Sequence, residues 1–158
     1  KADIVVPNMT DAYHLLGRDY DPGPYTRDQV VDILKGLCAL GPRMAVLTGV
    51  WLQVGSLGTA CYDARTGEAE LFLTDRIEGF YHGTGDLFAS ALLGGLLNGA
   101  CLKEACETAT EFTWRTIETT FEKSADHRFG PKFECHLPWL GEKMEACRKT
   151  VANPENLR

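Results

Sequence analysis

Residues 2–17, ADIVVPNMTDAYHLLG, give a strand, a turn and a helix in close succession. The run IVV is apolar without alternation, which is typical of a short buried strand, and Pro7 ends it. Asn8 or Thr10 can cap the helix that follows, and Gly17 closes it, because glycine tolerates the left-handed backbone found after helix C-termini. A strand that leads straight into a helix is typical of an α/β fold.

A second helix and a second buried strand follow along the chain. Residues 26–41, TRDQVVDILKGLCALG, carry Thr26 and Gln29 at the spacing of a capping box. Residues 43–49, RMAVLTG, form another apolar run without alternation, which predicts a fully buried strand. Because the two strands are joined through helices, we expect them to pair in parallel.

The next two segments predict strands of a different kind. Residues 57–63, LGTACYD, and 67–75, GEAELFLTD, flank the turn-like ARTG at 64–67. A short turn between two strands predicts an antiparallel hairpin, which we expect at one edge of the sheet. Mixed sheets of this kind are common.

The second half of the chain predicts helices. Residues 86–100 are largely apolar, which indicates a helix buried on most sides, and Gly94 and Gly95 allow a neighbour to approach closely. Residues 102–124 are amphipathic, with an inner face formed by Ala105, Ala109, Phe112, Ile117 and Phe121. A loop and a short final helix are expected in the tail.

Length and charge limit the classes of function. At 158 residues, with 44% hydrophobic residues, the chain suits one α/β domain with a real core, over residues 1–158. The net charge of −6 disfavours nucleic acid and anionic membranes as partners, and the apolar runs are too short to span a bilayer. The six cysteines lack the spacing of a zinc site, which favours buried reduced thiols in a cytoplasmic protein.

The segment GTGD at residues 83–86 stands directly before the apolar helix. Gly83, Thr84 and Gly85 can direct several backbone N–H groups to one point at the helix N-terminus, where the helix dipole also favours negative charge. A carboxylate beside an anion repels it, but Asp86 can accept the proton of a hydroxyl that attacks a phosphoryl group. On the residues alone, a tight turn followed by a helix-start aspartate stays open as the alternative.

Three motifs in order resemble the ribokinase-like family of small-molecule kinases. They are VPNMTDAYHLLG at 6–17, VLTGV at 46–50 and YHGTGDLFASALLG at 81–94. With the tail RFGPKFECHLPWLG at 128–141, the combination is most similar to the pyridoxal (pyridoxamine) kinases. The resemblance covers nearly the whole chain but matches only the C-terminal half of such an enzyme. It implies a layered α/β/α fold with a mostly parallel sheet and an antiparallel edge hairpin.

The resemblance implies a catalytic role for the GTGD segment. Asp86 matches the family's catalytic base, which removes the proton of the hydroxymethyl group on the pyridine ring. Gly83, Thr84 and Gly85 match its anion hole.

The resemblance also implies a nucleotide and metal site at the strand ends. Thr48, with Gly49 after it, matches a threonine that contacts the phosphates of ATP. Asn8 and Asp11 match the Asn-x-x-Glu pair that organises Mg²⁺ through water. Asp11 stands where the family has Glu, so its carboxylate is one methylene shorter.

The function implied is ATP-dependent phosphorylation of a vitamin B6 vitamer, with Mg²⁺ and a monovalent cation that can assist. A hydroxymethylpyrimidine or sugar kinase stays open, because the motifs report the nucleotide and the base but not the acceptor alcohol. A nucleotide-binding fragment without catalysis is the alternative of another class, since the family's substrate contacts come largely from the N-terminal half. We also expect a homo-oligomer, because the first strand would expose an unpaired sheet edge if strands of an upstream half normally pair with it.

Overall fold

The computed structural model describes residues 2–123 and 130–152. The chain divides into two compact units, Lys1–Arg76 and Ile77–Arg158. The first unit holds a four-stranded sheet with two helices, and the second is helical. A single domain over residues 1–158 stays a prediction.

The first unit alternates strands and helices as expected. In chain order its elements are β1 (Ile4–Val5), α1 (Met9–Leu15), α2 (Arg27–Ala39), β2 (Met44–Val50), β3 (Ser56–Asp63) and β4 (Glu68–Asp75). The sheet order is β1-β2-β3-β4, with β1 parallel to β2 and β3 antiparallel to both β2 and β4. The α/β class, the parallel pair and the antiparallel edge hairpin are confirmed. Among the described strands, two of the three pairings are antiparallel, because the hairpin lies directly beside β2.

Both helices of this unit begin at the residues that the sequence marks. Asn8 caps α1 by accepting the Asp11 N–H at 2.8 Å, and Gly17 follows the helix with φ at 65°. Thr26 and Gln29 form the complete capping box of α2. The helices pack on the sheet around a core that includes Val30, Ile33, Leu34, Leu37, Ala45, Leu47 and Ala60.

The two parallel strands differ in burial. Met44 to Leu47 and Val50 are buried, but Thr48 is half-buried and Gly49 is exposed, so the expectation of a fully buried β2 holds only in part. Ile4 and Val5 are only half-buried, so the expectation of a buried first strand needs correction. The reason is position, since β1 lies at one end of the described sheet and has a neighbour on one side.

Gly58 allows β3 and β4 to approach each other at one point. A Cβ added there would overlap the carbonyl oxygen of Phe72 and lie 2.9 Å from Leu73 Cα. Both atoms belong to the backbone, so no side-chain movement can relieve the overlap. We expect Gly58→Ala to lower the free energy of unfolding by about 2–3 kcal/mol, as overpacked cores do. Urea denaturation measures the change. Gly141→Ala is the control, because its methyl group would meet no atom within 4 Å, and it should keep the full free energy of unfolding. Equal free energies of unfolding for the two alanine variants would contradict the prediction.

Asp63 ends β3 and ties the hairpin turn to Arg65. Its carboxylate accepts the Arg65 N–H at 2.9 Å, Nε at 3.2 Å and Nη2 at 2.9 Å. The hydrogen bonds from the Arg65 side chain lower the pKa of the Asp63 carboxyl below its ordinary value, despite its burial. The ionised form is therefore favoured in the folded state, and its stabilisation is complete above the unfolded pKa of about 3.9.

We expect this stabilisation to disappear in acid. As the pH falls from about 4 through the lowered folded pKa, Asp63 becomes protonated and the bonds to Arg65 weaken. Asp63→Asn should cost about 1–2 kcal/mol at pH 7, since it breaks a partly buried charged hydrogen bond, and progressively less below pH 4. Urea titrations across this range measure the difference. A difference that stays constant with pH would contradict the assignment.

The described part of the second unit, residues 77–123 and 130–152, contains three α-helices and one 3₁₀ turn. They are α3 (Thr84–Leu97), α4 (Leu102–Lys123), the 3₁₀ turn (Glu134–His136) and α5 (Leu137–Ala152). The paired glycines admit neighbours as expected. A Cβ on Gly95 would lie 3.0 Å from Ala105 Cβ of α4, and one on Gly94 would lie 3.1 Å from the methyl of Met144 on α5.

Two predictions about these helices need correction. The expected burial of α3 on most sides is wrong, because Leu93 and Leu97 are 53% and 78% exposed. On α4, Ile117 is only half-buried and Phe121 is exposed. The buried face of α4 instead continues from Phe112 through threonines, namely Thr116, Thr119 and Thr120. Threonine can be buried in a helix because its hydroxyl bonds the carbonyl four residues earlier.

All six cysteines are free thiols, but only Cys61 and Cys106 are buried. Cys101 and Cys135 are exposed, so the expectation of buried thiols holds only in part. Among the residues that the structure describes, no helix is both long and apolar enough to cross a membrane.

Candidate active site

The carboxyl ends of β1 and β2 bring two of the predicted residues together. Parallel strands end at the same edge of a sheet, and Asn8 pairs with Thr48 just beyond the last residues of β1. The Thr48 N–H donates to the carbonyl oxygen of Pro7 at 3.1 Å. The nucleotide residue and the metal residue proposed from the sequence are therefore neighbours.

Gly49 turns the backbone outward beside Thr48. The register of β2 with β3 slips here, since Thr48 faces Thr59 while Val50 faces Gly58. Gly49 has φ at 74°, a conformation that favours glycine, and it is exposed. A bulge of this kind leaves its extra residue outside the strand pairing, so an exposed stretch of backbone is available to a ligand at this edge.

Asn8 and Asp11 lie on the first turn of α1. The Asn8 amide oxygen is engaged as the helix cap, which leaves its amide nitrogen and a second lone pair on the oxygen. Asp11 is exposed, and no described residue forms an ion pair with its carboxylate. Within residues 2–123 and 130–152, no group of three or more His, Cys, Asp or Glu could hold a metal. The Asn8 amide oxygen and the Asp11 carboxylate are oxygen donors, the ligand type that Mg²⁺ prefers.

The GTGD segment forms the N-terminus of α3. Gly83 is the N-cap with φ at 87° and no side chain to close the helix end. The first helical hydrogen bond runs from the Leu87 N–H to the Gly83 carbonyl at 3.1 Å. Among the described residues, the N–H groups of residues 83–86 form no backbone hydrogen bond of standard geometry. A helix N-terminus with free N–H groups and its dipole favours an anion.

Thr84 and Asp86 complete this turn. The Thr84 hydroxyl donates to the Tyr81 carbonyl at 3.1 Å and so braces the turn. Asp86 is exposed in the first turn of α3. Its carboxylate and the free N–H groups thus belong to one helix end, which pairs a proton acceptor with an anion site.

Gly85 is a glycine that the fold itself does not require. Its φ is not in the left-handed region, and an added Cβ would meet no atom within 4 Å. The side of the turn above Gly85 is therefore open space. A ligand could approach the backbone there without competition from a side chain.

Two side chains precede the turn directly. His82 is exposed, and the Tyr81 hydroxyl donates to the Glu78 carbonyl at 2.9 Å. Pro131 was missed by sequence reasoning, although its Cδ lies 4.0 Å from a Cβ placed on Gly83. No periodicity or motif indicates that Pro131 lies beside this turn, because the two segments are distant in the sequence.

The known proteins to which this chain is similar are kinases. The family model described as phosphomethylpyrimidine kinase matches residues 1–131. Pyridoxine kinase of Bacillus subtilis (strain 168) is 33% identical over 122 residues, which cover 76% of this chain and 43% of that protein. The chain spans about half the length of the curated relatives it matches.

Solved structures agree with this result. A Bacteroides thetaiotaomicron protein, in a crystal form with pyridoxal, superposes with a TM-score of 0.82 at 28% identity, over 89% of this chain and 49% of that one. An ADP complex of Bacillus subtilis pyridoxal kinase superposes with a TM-score of 0.63 at 32% identity, over 74% of this chain and 43% of that one.

Proposed function

This chain belongs to the phosphomethylpyrimidine kinase family, and we propose that it transfers the γ-phosphoryl group of ATP to the hydroxymethyl group of pyridoxal, pyridoxamine or pyridoxine. Two observations on relatives support the two substrates, since one neighbour was crystallised with pyridoxal and another with ADP. The observation that carries the chemistry is the end of α3, where N–H groups that form no backbone hydrogen bond of standard geometry adjoin the exposed carboxylate of Asp86.

Asp86 acts as the general base in this proposal. It accepts the proton of the acceptor hydroxyl as that oxygen attacks the γ-phosphorus. The N–H groups of Gly83, Thr84 and Gly85 donate to the phosphoryl oxygens, whose negative charge grows during transfer. The helix dipole adds to this stabilisation because it directs its positive end to the same point.

The strand-end group binds the nucleotide in this proposal. Thr48 donates its hydroxyl to a phosphate of ATP, and the bulge at Gly49 lets the backbone approach it. Asn8 and Asp11 orient the waters of Mg²⁺, and a monovalent cation can assist. When bound, Mg²⁺ neutralises the charge on the phosphates. The exposed carboxylate of Asp11 and the spare lone pair of Asn8 are oxygen donors of the kind this ion prefers.

Other acceptors and other states stay open to test. Hydroxymethylpyrimidine is the second candidate acceptor, favoured by the family whose model matches, and a sugar is the third. A nucleotide-binding fragment without catalysis is the alternative of another class, because the chain spans about half of its curated relatives. A homo-oligomer and a cytoplasmic location stay predictions.

Parallel assays of three acceptors test the proposal. The chain is incubated with labelled ATP, Mg²⁺ and either pyridoxal, hydroxymethylpyrimidine or ribose, and the phosphorylated product is separated. We expect pyridoxal 5′-phosphate to form fastest. Phosphorylation of hydroxymethylpyrimidine alone would show that the chain is a hydroxymethylpyrimidine kinase, the second candidate. Binding of ADP without transfer to any acceptor would support the fragment without catalysis.

A further inference from the structure

A loop of four residues, 130–133, lies against the glycine turn before α3. A Cβ placed on Gly83 would be 4.0 Å from Pro131 Cδ, and one placed on Gly130 would be 3.8 Å from the His82 carbonyl oxygen. These distances place the loop directly beside the turn, with room for no more than about one carbon atom between them. The loop therefore limits how far the turn can move toward it.

The last turn of α4 holds this loop by hydrogen bonds. The Lys132 N–H donates to Thr120 Oγ1 at 2.8 Å, and Lys132 Nζ donates to the Lys123 carbonyl at 3.3 Å. Just beyond the loop, His136 Nε2 lies 2.8 Å from Thr119 Oγ1. Of these contacts, the bond to Thr120 is the one that fixes the loop backbone to a buried side chain.

The hydroxyl of Thr120 can make this contact in one way only. Thr120 is 1% exposed, and its hydroxyl donates its single proton to the Thr116 carbonyl at 2.6 Å. The oxygen is then left with acceptor capacity, which the Lys132 N–H fills. The hydrogen bond to its own helix thus orients the Thr120 hydroxyl so that its oxygen accepts the Lys132 N–H of the loop.

We propose that Thr120 is a positioning residue for the phosphate-binding turn and acts on it through the loop of residues 130–133. The inference rests on the proposed kinase function. Loss of the hydroxyl removes the bond that fixes the loop backbone to α4, so the loop supports the turn at Gly83 less firmly. The N–H groups of the turn then lose their fixed direction, which weakens the hold on phosphate. Thr120 itself touches neither substrate.

Thr120→Val is the variant that tests this inference, because it keeps the shape and removes the hydroxyl. We expect the amide of Lys132 to exchange hydrogen at least tenfold faster, as the loss of one buried hydrogen bond allows. We expect the Kd for a non-hydrolysable ATP analogue, whose third phosphate the turn would hold, to rise about tenfold, which corresponds to one hydrogen bond, and kcat/KM to fall by at least as much. Thr120→Ser keeps the hydroxyl and should restore all three values to within about twofold.

Thr116→Val is the matched control. Thr116 lies one turn earlier on α4, is fully buried and donates to the Phe112 carbonyl at 2.8 Å. It should lose stability to a similar degree but leave Lys132 exchange and nucleotide affinity unchanged. If both valine variants raise the Kd for the ATP analogue equally, or neither does, Thr120 has no positioning role. If the unmodified chain binds the analogue but transfers no phosphoryl group, the proposed function fails, and the comparison of Kd values still decides whether Thr120 has a positioning role. If it does not bind the analogue, both the proposed function and this inference fail.

Discussion

Asp86→Asn is expected to lower kcat for phosphorylation of pyridoxal by about 10²- to 10⁴-fold, the usual effect of losing a general base. The amide is nearly isosteric with the carboxylate but cannot accept the proton of the attacking hydroxyl. Because Asp86 is exposed in the first turn of α3, the substitution leaves no buried group unpaired. The KM for ATP should stay constant or fall, since one negative charge near the phosphates is removed. Steady-state kinetics with ATP and pyridoxal measure both values.

Asp28→Asn is the matched control for this prediction. Asp28 is likewise an exposed acid in the first turn of a helix, in this case α2. Each substitution removes a favourable interaction with a helix dipole, worth about 0.3–1 kcal/mol, so both should cost similar stability. Only the substitution at Asp86 should reduce turnover. A similar loss of kcat in both variants would show that Asp86 is not the general base. The same conclusion would follow if Asp86→Asn kept more than a tenth of the normal kcat.

The parts of the fold that could be predicted are those set by local chemistry. Capping residues indicate where helices begin, and Asn8 and Thr26 are the N-caps of α1 and α2 as expected. The apolar run of β2 indicated burial, and its connection through helices indicated the parallel pair with β1. The kinase family inferred from three ordered motifs is confirmed by the family match. From these steps the adjacency of Asn8 and Thr48 follows without a structure.

The parts that could not be predicted depend on residues that are distant in sequence, or on side chains such as threonine that carry both an apolar and a polar group. Threonine counts as polar in a hydrophobic pattern, so the inner face of α4 was assigned to Ile117 and Phe121 rather than to Thr116 and Thr120. Helix back-bonding satisfies these hydroxyls and leaves their methyl groups for the core. The position of Pro131 beside the turn at Gly83 cannot be predicted from either segment, because close packing requires no particular residue type.

Gly85→Ala is expected to lower kcat/KM by about 10²- to 10³-fold, comparable to the loss of an oxyanion-hole donor, without loss of stability. The fold has room for the methyl group, since no atom lies within 4 Å of it. Side chains on a helix tilt toward its N-terminus, so this methyl would occupy the space over the free N–H groups where a phosphoryl group must sit. Alanine also favours helix more than glycine does, by up to about 1 kcal/mol. Kinetics and urea denaturation of the same preparation measure the two effects.

Gly141→Ala separates the loss of activity from the change in helix propensity. Gly141 lies within α5, and a methyl group there also meets no atom within 4 Å. Both variants should be at least as stable as the unmodified chain, because each replaces a helical glycine where space is free. Only Gly85→Ala should lose activity, since only there does a substrate need the space. If Gly85→Ala retains full activity, no phosphoryl group approaches the backbone at the start of α3, and the anion hole must be sought elsewhere.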